Sequence, residues 1–77
     1  MYIMIERYME KMTKEDVNNF AYKNNILLSS DELDFTYVFI KKNWREIIAN
    51  PALVDLSRYK EKFSSENFVK IEKLFKE

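Results

Sequence analysis

The stretch from Leu33 to Trp44 reads as a helix with two apolar faces. At 100° per residue, Leu33, Tyr37, Ile40 and Trp44 fall on one stripe, and Phe35, Val38 and Phe39 fall on the opposite side. A helix that is apolar on both sides has to be covered on both sides. It is then the centre of a small bundle, or a core element with one face kept for a partner. The constraint bears on architecture more than on chemistry, because the chain has no His, no Cys and no Gly.

The 77 residues make one domain, 1–77, near the lower end of sizes that fold without staples. A domain this small buries only about 60% of its unfolded surface, so some aromatics stay partly exposed and self-association is a natural supplement. Six Phe, five Tyr and one Trp supply the apolar area. The absence of cysteine removes any disulfide framework or thiolate metal site and suits a reducing compartment. No segment approaches the ~20 apolar residues that span a bilayer. Met1 to Arg7 lacks the basic and then apolar pattern of a secretory signal. A cytoplasmic protein with no membrane partner is therefore expected. The wealth of Lys, Asn, Ile, Phe and Tyr, with no Gly, suggests an AT-rich bacterial genome.

Thirteen basic and thirteen acidic side chains cancel, but unevenly. Residues 1–38 carry four Lys/Arg against seven Asp/Glu, and residues 39–77 carry nine against six. The result is a dipolar domain, and a neutral total is a poor start for the counterion release that drives nucleic-acid affinity.

Helical periodicity recurs along the chain. Ile5, Tyr8, Met9 and Met12 form a stripe over about residues 3–12. Thr13, with Asp16 three positions on, caps a second helix from Lys14 to about Lys23 that buries Val17, Phe20 and Ala21. With no Gly for the left-handed residue that closes a helix, Asn24-Asn25 has to serve, and Ile26-Leu27-Leu28 follows as an extended plug. Ser29 with Glu32 is a capping box, and Leu28 is placed for a hydrophobic staple on Leu33. The third helix runs from there to about Lys42. Beyond it two alternatives stay open: Asn43 with Glu46 re-caps a fourth helix, or the third continues straight through to Ala49. Pro51 begins a short turn to about Leu56, Tyr59 and Phe63 pair at i, i+4, and Ser64 or Ser65 caps a last helix burying Phe68, Ile71, Leu74 and Phe75. The expected fold is all-α, a small single-domain bundle of four to five helices with the 30–43 helix central.

Little chemistry is written on this frame. Asp31, Glu32 and Asp34 form the one dense acid cluster, and they read as first-turn charges that complement the helix dipole. Glu6 and Glu10 read as a solvated face. No phosphate loop, nucleophile–base pair or metal spacing is present, so no catalytic residue, metal or cofactor is expected. Residues 13–43 share the outline of a helix-turn-helix. The connector Asn24 to Ser30 is longer than its usual turn, however, and three carboxylates open the would-be recognition helix. Lys41, Lys42, Trp44 and Arg45 could instead set cations beside an aromatic ring, as single-strand binders do, with Arg58, Lys60 and Lys62 in support. Met4, Met9 and Met12 suit an adaptable partner face on the leading helix.

Laid out this way, the chain resembles a small uncharacterised family of short helical proteins from low-GC Gram-positive bacteria. The resemblance rests on Thr13-Lys14-Glu15-Asp16-Val17 with Phe20-Ala21, and on Ile26-Leu27-Leu28-Ser29-Ser30-Asp31-Glu32-Leu33. Tyr37, Phe39-Ile40-Lys41, Asn50-Pro51, Tyr59-Lys60, Phe63-Ser64 and Phe68 extend it. It implies a helical fold and no activity, so no functional residue is carried over.

The expected function is a small cytoplasmic protein–protein interaction module. Its partner is another protein, a second copy of the chain included, contacted through Lys41, Lys42, Trp44, Arg45, Tyr8 and Met12. The alternative is a nucleic-acid-binding accessory protein that uses the basic C-terminal half.

Overall fold

The structure, a computed structural model, describes residues 3–76; Met1, Tyr2 and Glu77 lie outside the described residues. The order is α1 (Ile3–Lys11), α2 (Lys14–Lys23), α3 (Ser30–Ala49), a 3-10 turn (Pro51–Leu53), a second 3-10 segment (Leu56–Lys62) and α4 (Ser65–Lys76). No strand occurs among the described residues, and the architecture is the expected all-α bundle.

Local chemistry sets the boundaries. At the start of α2, Thr13 accepts from the Asp16 N–H, and the Asp16 carboxylate accepts from the Thr13 N–H. At its end Asn25 takes the left-handed conformation, with φ at 64°. The Ile26 N–H then reaches the Ala21 carbonyl at 2.9 Å and the Asn25 N–H reaches the Tyr22 carbonyl at 3.0 Å, which closes the helix as a Schellman motif without glycine. Ile26, the next residue, is buried. Ser29 and Glu32 form the capping box of α3. That helix runs through Asn43 as one rod of 20 residues and ends before Pro51. Asp55 caps the second 3-10 segment, and the Ser57 hydroxyl at 2.6 Å holds its carboxyl below the ordinary range.

α3 is central: α1, α2 and both 3-10 segments pack on it, while α4 packs on the two 3-10 segments. Its covered surface differs from the two opposed faces expected. Phe35 and Phe39 meet Tyr59 at ring centroid distances of 5.4 and 4.9 Å, and Phe35 meets Phe63 at 5.7 Å. Trp44 is buried on the other flank. Between them the helix is covered as well, so one broad arc is packed and one strip is left to water. Asp31, Asp34, Val38 and Lys42 lie on that strip, and Val38, expected to be covered, is 47% exposed. Phe20 is a second correction, at 58% exposed rather than buried. It sits at the edge of the inner side held by Val17 and Ala21, lining the cavity there with much of its ring left to water.

The polar centre of the fold is Glu32. Its carboxylate accepts from the Ser29 N–H at 2.8 Å, the Ser64 N–H at 2.7 Å and the Asn67 amide at 2.9 Å. Asn67 also donates to the Leu27 carbonyl at 2.8 Å, and its own N–H reaches the Ser64 hydroxyl, which makes Ser64 the cap of α4. Glu32 thus ties the starts of α3 and α4 together. Burial alone would raise its pKa, but the hydrogen bonds from Ser29, Ser64 and Asn67 outweigh that and hold it below the usual carboxylate range.

A native carboxylate with a lowered pKa adds stability above the unfolded-state pKa and loses it as pH falls through the native value. Glu32→Gln, which points an amide at N–H donors, should cost about 2–3 kcal/mol at neutral pH. The difference from wild type should shrink below pH 4, as urea-unfolding midpoints measured across pH would show.

Candidate functional site

Two of the basic residues singled out in the sequence, Lys41 and Arg45, converge on α1. Lys41 projects from α3 beneath the end of α1, where its ammonium donates to the Met9 carbonyl and to the Glu10 carbonyl at 3.0 Å. A helix C-terminus leaves carbonyls without partners and carries the negative end of the dipole, so a cation there satisfies both needs. One turn on, Arg45 pairs with the Glu6 carboxylate and lies 4.4 Å from the Trp44 ring centroid. Glu6, Met9, Glu10, Lys41, Trp44 and Arg45 line a groove of about 240 Å³ along this seam.

The six expected contact residues therefore divide. Trp44 is only 6% exposed and Met12 is buried too, so neither offers the open surface foreseen for it. Trp44 sits under α1, and Met12 lies in the two-residue connection to α2. Lys41 and Arg45 hold α1 in place. Lys42 is exposed on the bare strip of α3, and Tyr8 is exposed on the outer side of α1. Beside Tyr8, one turn earlier, stands Met4 at 84% exposed, and Ile3 is exposed as well. Sequence periodicity had put Tyr8 on the covered stripe with Ile5 and Met9; in the fold α1 is apolar on two sides and only one of them is docked.

The acid cluster resolves into structure. Asp34 pairs with Lys14 at 2.7 Å, Glu32 is the buried tie between helices, and Asp31 is exposed. Glu6, expected to be solvated, is the partner of Arg45. Among the described residues no group of three or more His, Cys, Asp or Glu converges as a metal site would. None of the described helices is long and apolar enough to cross a membrane.

The remaining concavity is apolar. A cavity of about 80 Å³ lies between α2, α3, the second 3-10 segment and α4, lined by side chains such as Val17, Phe39, Tyr59 and Phe75. Thr36 lines it too, and its hydroxyl is buried without a hydrogen-bond partner.

No family model, curated protein or solved structure matches this chain. What it does has to be argued from its own surface.

Two measurements check this geometry. Trp44 should show blue-shifted emission and weak acrylamide quenching, and K41A combined with R45A should raise the quenching while helicity is kept, because α1 loses its cap and its ion pair. Each bond is worth about 1 kcal/mol or less. Thr36→Val replaces an unpaired hydroxyl by a methyl of the same shape, and should be neutral or stabilise by about 1 kcal/mol in thermal unfolding.

Proposed function

We propose that this chain is a small cytoplasmic protein-interaction module that binds its partner through the outer face of α1, with no catalytic step. The observation that carries the reading is the uncovered outer side of that helix, where Met4 and Tyr8 face water one turn apart, flanked by Arg7 and Lys11, while Lys41 and Arg45 fix the opposite side to α3. An exposed aromatic with a flexible thioether one turn away suits an amphipathic partner surface, because Met adapts its shape and Tyr joins a broad apolar ring to a polar tip. Lys42 supplies an exposed charge on α3. The lack of cysteine agrees with a reducing compartment.

The nucleic-acid reading is less well supported. Its cations would need aromatic faces for bases to stack on. Tyr59 spends its ring on Phe35 and Phe39, and Trp44 lies buried beneath Arg45. Arg58, Lys60 and Lys62 remain exposed but without an open ring platform.

The test is affinity capture with immobilised full-length protein in nuclease-treated and untreated bacterial lysate, run beside M4D/Y8D. A protein held by the wild type in both lysates and lost by the variant, at unchanged circular dichroism, is the expected result. Material lost on nuclease treatment and indifferent to M4D/Y8D would overturn the reading in favour of nucleic acid.

A further inference from the structure

We propose that α1 is an exchangeable element, and that two copies of this chain form a dimer in which each docks its α1 on the α3 of the other. The inference goes beyond the reading above: it uses the inner face of α1, so either one can fail while the other stands.

The first observation is that, among the described residues, α1 packs on α3 and on no other helix, although α2 follows it in the chain. Apart from the Met12 N–H on the Met9 carbonyl, its polar partners among the described residues are on α3: Arg45 for Glu6, and Lys41 for the carbonyls of Met9 and Glu10. None of the residues within α1 is fully buried. Every one of these contacts with α3 is remade unchanged when the helix comes from a second copy. The groove on α3 therefore selects for an occupant with a carboxylate one turn before its last carbonyls, and a second α1 carries that pattern by definition.

The second observation is the hinge. Only Met12 and Thr13 separate α1 from α2, and short hinges favour exchange between copies. The residues around it, Glu10-Lys11-Met12 and Lys14-Glu15, are good helix formers. Two features hold the hinge closed: the burial of Met12, and the Thr13–Asp16 capping box, which forces Thr13 to an extended ψ of 169°. A straightened hinge makes α1 and α2 a single rod that carries Ile3–Lys11 away from its own α3. Charge at Arg45 and Glu6 then sets the pairing between copies.

Thr13→Ala removes the cap from the closed form and leaves the open rod unharmed. A cap is worth about a factor of five, so its loss in both copies should strengthen the dimer about 25-fold. Light scattering behind size exclusion, over a concentration series, reads this directly. D16A removes the reciprocal bond alone and serves if T13A lowers helicity. The decisive step is charge exchange in the T13A background. E6R copies and R45E copies each place like charges at the seam, whereas a one-to-one mixture restores both ion pairs, but only between copies.

The expected result is a dimer of unchanged strength for either variant alone, because the closed monomer carries the same like-charge contact, and a markedly tighter dimer on mixing. T13A and D16A that stay folded and monomeric across the series would overturn the proposal. So would a dimer indifferent to mixing, which would instead place the contact on the outer face of α1.

Discussion

A buried carboxylate with three N–H donors around it organises this fold. The start of a helix leaves backbone N–H groups without partners, and this structure brings two such starts, those of α3 and α4, to the same side chain. Glu32 answers one locally, through the capping box with Ser29, and the other at long range, through the Ser64 N–H and Asn67. Its negative charge also sits at the positive ends of both helix dipoles. Burial makes the arrangement costly if incomplete and strong when satisfied, which is why Asn67 carries a second bond to the Leu27 carbonyl and fixes the plug before α3. In a chain whose hydrophobic contacts are mostly half-buried, this polar junction supplies the directional part of the fold.

From that junction the bundle opens in two directions. On one side the ring cluster of Phe35, Phe39, Tyr59 and Phe63 holds the irregular second half against α3. On the other, α1 is tied near the far end of α3 by Lys41 and Arg45, with Trp44 beneath. The two sides differ in kind: the first is aromatic burial and the second is largely charge and carbonyl capping. Exposed or half-exposed pairs contribute little each, so the leading helix is the most loosely bound element that the fold contains.

Local grammar was legible in the residues. The two capping boxes, the asparagine that replaces glycine at the end of α2, the stop before Pro51 and the all-helical class all depend on neighbours within five positions. What escaped depends on distant partners. Periodicity gives a face but not what covers it, so Val38 and Phe20 read as core and stand in water. Trp44 beside Lys41 and Arg45 reads as an aromatic–basic surface until α1 is laid over it. The double role of Glu32 needed a residue 35 positions away. One signal was present: Asn67 falls on the same stripe as Ile71 and Leu74, a polar side chain at the start of an apolar face, and such a residue has to find a partner inside.

The span of that junction bears on the order in which the chain can become compact. Ser29 and Glu32 meet across three residues, so α3 can be capped as soon as its first turns have left the ribosome. Ser64 and Asn67 come much later, and until they emerge the carboxylate keeps its water and pays no desolvation. Up to that point the start of α3 is capped around a hydrated charge. Arrival of Ser64 and Asn67 expels that water and locks both helix starts together, so closure of the fold waits on a segment more than thirty residues downstream of the carboxylate.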